Sequence, residues 1–432
     1  MRRRTFILTS GATALATQTA AGANDRVNMA VVGVRSRGRE HAGIFSTLPG
    51  SRVAAVCDID TAQSERAIPL VEKAQGLKPK TYQDIRRLLE DKDIDAVSLA
   101  TCNHWHALAT IWACQAGKDV YTEKPASHNI WEGRKMVEAA RKYSRVVQVG
   151  MQSRTTDHKI KAMKLLQDGV IGKVYLSKGL CFKRRPSIGK KADGPVPPGV
   201  AYDLWLGPAK MRPFNENRFH YNWHWFWDTG NGDIGNQGVH EMDIARWGLG
   251  KKGLPGKVVC SGGKFVYDDD QETPNTQLAT FDYGDSQLVF EVRGLLTGGE
   301  SSIAYDGSNF IGNLFYGSEG FMSIDLKGYQ IYLGEKRELA QSMNATESKL
   351  WDTAPHMANF IKAVKSRKPS DLTCDIEEGH FSAALCHLAN ISYRTGRKLT
   401  FDAKNENFGN DYEANLLLSR DYRAPYIVPA KI

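Results

Sequence analysis

The chain lacks the patterns that mark disulfide-rich, zinc-binding and repeat proteins. Its seven cysteines are odd in number and scattered, and no two of them form a C-x-x-C pair. This spacing argues against both a disulfide framework and a zinc site, and no metal is expected. No internal repeat or low-complexity tract is evident either. What remains is a composition typical of a globular protein, with 41% hydrophobic and 24% charged residues.

Nucleic-acid binding is also disfavoured, although the formal net charge is +9. Part of the excess comes from Arg2, Arg3 and Arg4, and part from a basic cluster over residues 183–191. Glycine, proline and aspartate are interleaved with that cluster, which is typical of a solvated loop. No DNA- or RNA-binding motif accompanies it, so we expect no nucleic-acid partner.

The first 23 residues indicate an export signal. Arg3-Arg4-Thr5-Phe6-Ile7-Leu8 resembles the twin-arginine motif, and Ala21-Gly22-Ala23 fits an A-x-A cleavage site before Asn24. The intervening apolar stretch is too short and too polar to span a membrane. We therefore expect a periplasmic or secreted protein without a membrane span, exported in the folded state.

Residues 27–150 alternate short apolar runs with helical patterns, which indicates a doubly wound parallel sheet. The predicted strands cover residues 28–33, 53–58, 96–100, 119–122 and 146–149. The predicted helices include Thr81 to Glu90, His104 to Ala116 and Asn129 to Tyr143.

The pattern changes near residue 151. A helix over residues 159–167 precedes alternating segments with Gly, Asn and Asp turns, which predict a large, mostly antiparallel open sheet within a second α/β domain over 151–395. Strands are expected over 174–181, 257–267, 277–281, 287–293, 321–324 and 330–333. The pattern predicts two helices over residues 355–396, separated at Lys368-Pro369. It predicts an irregular C-terminal arm over residues 396–432. The predicted fold class is α/β, a Rossmann domain followed by this second domain.

A dinucleotide site is predicted after the first strand. Gly33-Val34-Arg35-Ser36-Arg37-Gly38 keeps the first and third glycines of G-x-G-x-x-G, while Arg35 stands at the second. Asp58 ends the second strand, 20 residues beyond Gly38. A carboxylate there binds ribose hydroxyls and repels a 2′-phosphate, so NAD is favoured over NADP. Arg35 and Arg37 are candidates to place positive charge near the pyrophosphate.

Tyr121-Thr122-Glu123-Lys124-Pro125 closes another predicted strand. Proline keeps the preceding residue extended, so Lys124 has a fixed direction at the edge where such sheets bind ligands. Lys124 is therefore the leading catalytic candidate.

Together with Asn103-His104-Trp105-His106 and a distal histidine, Glu123-Lys124-Pro125 resembles the glucose-fructose oxidoreductase / inositol dehydrogenase (Gfo/Idh/MocA) family over about residues 27–395. The resemblance implies a Rossmann domain, an α/β domain whose open sheet covers the nicotinamide, and a homo-oligomer, either a dimer or a tetramer. It implies cofactor contacts from Gly33, Arg35, Ser36, Arg37, Gly38, Asp58, Thr101, Asn103, His106, Glu123 and Lys124.

The distal histidine is His240, within a segment where the family typically carries D-x-x-x-H. Position 236 is Asn instead, and Asn cannot raise the imidazole pKa by charge. Asp243 lies three residues after His240 and could supply that charge. We expect His240 to titrate near neutral pH as the base and Lys124, with a depressed pKa, to stabilise the alkoxide. Catalytic candidates are Lys124, Asn236, His240 and Asp243.

Aromatic side chains are dense between residues 202 and 227, and such rings stack on sugar faces or fill a core. Substrate contacts are expected from Lys124, Arg154, Tyr221, Trp223, Asn236 and His240.

Three functions follow from this pattern. The first is an NAD(P)-dependent oxidoreductase that acts on a secondary hydroxyl of a sugar, polyol or glycoside and, as a protein exported in the folded state, holds its cofactor tightly. The second is an NAD-dependent glycoside hydrolase that oxidises a ring hydroxyl transiently and eliminates the aglycone. The third, a non-catalytic sugar-binding scaffold, is disfavoured because Lys124 and His240 are both present.

Overall fold

The computed structural model describes residues 26–297, 309–345 and 353–432. The predicted export signal at residues 1–23 lies outside the described residues.

A six-stranded parallel sheet forms the first layer of the molecule, with strand order β3-β2-β1-β4-β5-β6. Its strands are β1 (Val27–Val32), β2 (Ser51–Cys57), β3 (Lys80–Tyr82), β4 (Ala96–Leu99), β5 (Asp119–Thr122) and β6 (Val147–Val149). Its helices are α1 (Ser36–Thr47), α2 (Thr61–Gln75), α3 (Ile85–Leu89), α4 (Asn103–Gln115) and α5 (Ile130–Lys142). The order reverses between β1 and β4, so a crevice opens at the carboxyl ends of these strands.

The second sheet has nine strands. Its elements and the helices around it are α6 (Asp157–Gln167), β7 (Val174–Lys183), α7 (Tyr202–Leu206), α8 (Gly232–Asn236), α9 (Gly238–Gly248), β8 (Lys257–Gly263), β9 (Thr276–Asp282), β10 (Gln287–Arg293), β11 (Asn309–Gly317), β12 (Gly320–Asp325), β13 (Gly328–Leu333), β14 (Glu338–Asn344), α10 (Ala354–Ser366), α11 (Ile376–Thr395), β15 (Leu399–Thr400) and α12 (Tyr412–Leu416). Strand order is β14-β13-β12-β11-β7-β10-β9-β8-β15, and among the described strands of this sheet only the β7–β10 pair is parallel. The predicted fold class is confirmed.

Helix α9 lies close against this sheet because glycines face its strands. A Cβ on Gly238 would lie 2.3 Å from Phe290 Cζ, and one on Gly248 would lie 2.1 Å from Phe315 Cε1. From the sheet side, Gly179 of β7 makes room for the backbone of Glu241. These close contacts fix the helix that carries His240.

Helix α10 follows the second sheet in sequence but packs on the first. Met357, Phe360 and Ile361 are buried in one cluster with Val31 and Tyr121. The core of the parallel sheet is therefore completed by a segment more than 200 residues downstream.

Some of the helices and strands predicted from the sequence differ from those in the structure. The helix predicted from Thr81 to Glu90 is instead strand β3 followed by α3, because Lys80–Tyr82 pairs with β2 and Asp84 caps the helix by accepting from Arg86 N at 2.9 Å. Strands β11 and β14 were not predicted, and the strand predicted over 257–267 ends at Gly263. The arm predicted to be irregular contains strand β15, which pairs with β8, and helix α12. All seven cysteines are free, and within the described ranges no helix is long and apolar enough to cross a membrane.

Candidate functional site

A cavity of about 560 Å³ lies at the carboxyl edge of the parallel sheet and is closed by α9 and β11. The residues that follow β1, β4 and β5 reach it from the first sheet. Of the predicted site residues, those lining it are Gly33, Arg35, Ser36, Arg37, Gly38, Asp58, Thr101, Asn103, Glu123, Lys124, Tyr221, Trp223, Asn236 and His240.

The glycine turn has the geometry of a dinucleotide cradle. Gly33 has φ +79°, and a Cβ there would lie 2.8 Å from the Ala100 carbonyl oxygen. A Cβ on Gly38 would lie 1.7 Å from the Gly33 oxygen. Arg35 precedes α1 with its side chain exposed, and the helix has no side-chain cap. The N–H groups of the first turn of α1 are therefore free to bind a pyrophosphate.

Asp58 lies at the end of β2 beside this turn. Its Oδ2 accepts from Val34 N at 2.7 Å and its Oδ1 from Asp60 N at 3.0 Å. Burial raises the pKa of Asp58 to about 6. Both oxygens keep a further lone pair, so the carboxylate fits the predicted ribose contact.

Glu123 connects the segment after β5 to helix α1. Its Oε1 accepts from Arg37 Nε at 2.8 Å, and His41 Nε2 lies 3.1 Å away. Burial alone would raise the pKa of Glu123, but the Arg37 charge holds it well below its usual range. Arg37 is thus paired with Glu123, and it lines the cavity as well, while Arg35 is exposed beside the turn.

Lys124 and His240 come from different domains and line the same cavity. The Lys124–Pro125 peptide bond is cis. Lys124 Nζ donates to the Asn236 carbonyl oxygen at 2.7 Å, which ties the end of β5 to the end of α8. Burial lowers the pKa of Lys124, the predicted direction.

His240 differs from the prediction in its titration. Burial, with the Lys124 charge as the second cause, lowers the pKa of His240 to about 3 rather than leaving it near neutral. The imidazole is therefore neutral throughout the physiological range.

The side chain of Asn236 is bonded to a carboxylate on its own helix. Its Nδ2 lies 3.4 Å from Asp233 Oδ1, and that carboxylate accepts from Arg185 Nη2 at 2.6 Å. The carboxylate that Asn236 contacts is thus Asp233, in the first turn of α8. The sequence pattern did not single out this residue. The nearest signal was its position in the Gly-Asp-Ile-Gly-Asn segment.

Three predicted site residues do not line the cavity. Asp243 accepts from Arg154 Nε at 2.9 Å and from Ser382 Oγ at 2.6 Å, so it does not supply charge to His240 by direct contact. Arg154 is held in this buried pair and not toward a substrate, with its guanidinium over Trp247. His106 lies near the carbonyls of Pro125 and Thr101, at 2.8 and 3.0 Å, and supports the turn from behind.

Some aromatic side chains between residues 202 and 227 line the cavity, and some pack in a buried cluster. Trp205, His220, Tyr221, Trp223 and His224 line the cavity. Trp205 and Trp223 also belong to a buried cluster with Phe214 and Phe219.

The structure adds polar residues that sequence reasoning missed. Lys159 of α6, Glu241 of α9 and Asn313 of β11 line the same cavity. The only sequence signal was that Glu241 follows His240 directly. No group of three His, Cys, Asp or Glu side chains suited to a metal occurs among the residues described.

A parallel sheet with this turn, an acidic residue after β2 and two titratable groups at its edge defines a dinucleotide-dependent oxidoreductase. The comparison with family models makes the class specific: residues 27–151 match the NAD-binding Rossmann fold of the Gfo/Idh/MocA oxidoreductase family, and residues 155–287 and 306–428 match its C-terminal α/β domain. The chain belongs to this family, as its motifs predicted, and its first domain is the NAD-binding one.

Similar proteins with assigned names match mainly over a limited stretch. Inositol 2-dehydrogenase of Salmonella typhimurium strain LT2 is 28% identical over 151 residues, which cover 34% of this chain and 44% of that protein. A glycosyl hydrolase family 109 protein of Saccharopolyspora erythraea is 27% identical over 161 residues, 36% of this chain and 35% of that one. Each match spans less than half of the relative's length.

Among solved structures, the WlbA dehydrogenase from Bordetella pertussis, in complex with NADH and UDP-GlcNAcA, superposes with a TM-score of 0.63 at 18% identity. The alignment covers 87% of this chain and 99% of that one. This likeness establishes the common fold.

Proposed function

We propose that the protein oxidises a secondary hydroxyl of a sugar, polyol or glycoside with NAD⁺. The observation that carries the proposal is the meeting of Lys124 and His240 in the cavity that also holds the glycine turn and Asp58. The relatives named inositol dehydrogenase and the sugar-nucleotide complex of the WlbA dehydrogenase support the substrate class.

Lys124 and His240 act on the substrate hydroxyl in different ways. NAD⁺, when bound, supplies the hydride acceptor. Lys124 Nζ gives one of its three N–H donors to Asn236 and keeps two for the substrate oxygen, whose developing negative charge it stabilises. His240 is neutral, so its imidazole can accept the hydroxyl proton.

Lys124→Ala and His240→Ala test these roles. Each should lower turnover at least about a hundredfold, the usual contribution of a positioned acid–base group, while NAD stays bound. Turnover is followed as NADH formation with a panel of sugars and polyols. Lys118→Met is the matched control, because this lysine also donates to buried carbonyls, of Asp91 and Ile94, but lies outside the cavity. Near-normal rates in both site variants would overturn the assignment.

Export of the folded protein with its cofactor is part of the proposal. It rests on the twin-arginine pattern at Arg3-Arg4 and the A-x-A site ending at Ala23. A protein that works away from the cytoplasmic NAD pool must retain its cofactor, so denaturing the purified protein should release about one NAD(H) per chain. Release of no NAD(H) would contradict the proposal.

We also propose that the protein forms a homo-oligomer, either a dimer or a tetramer. Light scattering, which measures the mass of the particle in solution, tests this.

The glycoside hydrolase is the second candidate, supported by the family 109 relative. In that reaction the transiently oxidised ring loses its aglycone and is then reduced again, so no external electron acceptor is consumed. Release of nitrophenol from a nitrophenyl glycoside by the NAD-loaded protein without added acceptor would favour it. Net NADH formation with free sugars favours the dehydrogenase.

A further inference from the structure

Three polar residues that line the cavity have no role in the proposed reaction. They are Glu241 of α9, Lys159 of α6 and Asn313 of β11. They are 4%, 7% and 1% exposed, so all three are buried.

One of these residues, Glu241, has an unmet hydrogen-bonding requirement. Its Oε1 accepts from Gln237 Nε2 at 3.3 Å, but its Oε2 is buried and has no partner among the described residues. Buried carboxyl oxygens are otherwise bonded in folded proteins, so an orphaned one that lines a cavity points to a ligand.

The position of Glu241 is fixed by its neighbours. Asn313 Nδ2 donates to the Glu241 carbonyl oxygen at 2.7 Å, and Gly179 of β7 meets the Glu241 backbone. The side chain is therefore carried on a clamped backbone one residue after His240. Such preorganisation is what a binding group requires.

Charged side chains from α6 and β7 act on this carboxyl. Lys159 faces it from α6, with Nζ bonded to Ser153 Oγ at 2.9 Å, and Lys183 faces it from β7. Asp325, the last residue of β12, and Asp243, on α9, act on Lys159. Burial raises the pKa of Glu241 to about 7, while burial lowers the pKa of Lys159.

We propose that Glu241 binds a second hydroxyl of the substrate, adjacent to the one that is oxidised, and thereby determines which sugars are accepted. The inference rests on the proposed function, since it places a sugar against His240. Its geometric basis is the orphaned Oε2 in the same cavity, carried by the residue next to His240. A hydroxyl can donate to this oxygen, and a sugar that lacks it leaves the oxygen unpaired, which is a strong basis for rejection.

The experiment combines enzyme variants with substrate analogues. NADH formation is measured for the NAD-loaded wild type, Glu241→Gln and Glu241→Ala with D-glucose, levoglucosan, myo-inositol and the monodeoxy analogues of each. We expect Glu241→Ala to raise KM at least about tenfold with a smaller change in kcat. One deoxy analogue, lacking the recognised hydroxyl, should lose this dependence on residue 241. Glu241→Gln keeps the size of the side chain and should lie between the two.

A spectroscopic readout separates binding from a structural role. Below pH 7 the protonated Glu241 carboxyl should give an infrared C=O band that is absent in Glu241→Gln and shifts when the accepted sugar is added. Lys159→Met removes the facing cation, so the band should persist to higher pH. Glu132→Gln is the matched control: this buried carboxyl accepts from Tyr422 Oη at 3.0 Å and His128 N at 3.2 Å and lies outside the cavity, so its band should not respond to sugar.

The failures are distinguishable. If a sugar reduces the bound cofactor but every analogue responds equally to the Glu241 variants and the band does not shift, Glu241 is satisfied by water and the inference is overturned alone. If none of the three sugars reduces the cofactor or shifts the band, the inference falls together with the proposed function.

Discussion

At the scale of single residues, Asp58 links burial to cofactor choice. Its carboxyl is held by two backbone N–H groups and still has a pKa raised to about 6, because burial disfavours its charge. It is therefore ionised at neutral pH and becomes protonated as the pH falls through about 6. Only the ionised form repels a 2′-phosphate.

We predict that discrimination against NADP weakens below about pH 6. Asp58→Asn should bind NADP about tenfold more tightly than the wild type at pH 8, and the two proteins should converge near pH 5, where the wild-type carboxyl is neutral. Dissociation constants for NAD and NADP across this range measure the effect. The 2′-phosphate titrates in the same range, so Asp58→Asn also provides the baseline. Parallel curves for both proteins would contradict the role of Asp58.

Which residues reach the site was largely predictable, but what their side chains do there was less so. Gly33, Asp58, Lys124 and His240 follow from motifs tied to strand ends, where local chain geometry determines position. The ion pair of Arg37 was not predicted, because its partner, Glu123, is 86 residues away. The low pKa of His240 likewise depends on burial by distant elements, which spacing in the sequence does not reveal.

At the scale of elements, α9 has two roles on its two sides. His240 and Glu241 line the cavity, whereas Asp243 and Arg246 face α11, where Arg246 Nη2 meets Glu378 Oε2 at 2.7 Å and Asp243 meets Ser382. With Arg154 these groups form a buried ionic network that fixes the helix.

Asp243→Asn should therefore destabilise the protein without disabling the site. Loss of the partner of buried Arg154 should cost about 3 to 5 kcal/mol in the free energy of unfolding. Replacing both, as Arg154→Met with Asp243→Leu, should recover most of that loss. Chemical denaturation measures stability, and kcat of the folded fraction measures function. A hundredfold fall in kcat at unchanged stability would instead support the charge role toward His240.

Strand prediction failed where pairing outweighs local composition. Strand β11 contains Asn309, Gly312, Asn313 and Gly317, which resemble turn residues, yet it pairs with both β7 and β12. Strand β3 has only three residues and is held by β2 at the sheet edge. Such strands are stabilised by neighbours that are remote in sequence, so their own residues give a weak signal.

At the scale of the whole molecule, the C-terminal arm is a structural brace. Tyr426 is 2% exposed and packs edge-on against Trp105, with ring centroids 5.6 Å apart, while its hydroxyl donates to Asp203. Trp105 in turn lines the cavity and donates to the Leu204 carbonyl. The arm thus supports the cavity wall without entering it.

Tyr426→Ala should lower the free energy of unfolding by about 3 kcal/mol, the usual result of emptying a buried aromatic site. Tyr412→Ala, in the same arm but with Tyr412 75% exposed, is the control and should change it by less than about 0.5 kcal/mol. Denaturation curves followed by tryptophan fluorescence report both. Equal stability of the two variants would show that the arm does not brace Trp105.

The packing of α10 on the parallel sheet has a consequence for how the protein is made. Phe360 lies against Phe45 and Tyr121, with ring centroids 6.5 and 5.9 Å away. During synthesis the ribosome therefore completes the strands of the first sheet long before the residues that cover this face emerge. The nascent N-terminal domain therefore exposes an apolar face to solvent until α10 has been synthesised. A fragment ending at residue 151 would expose that face permanently. The NAD-binding domain precedes the second domain in the chain, but its core is among the last parts of the protein to be completed.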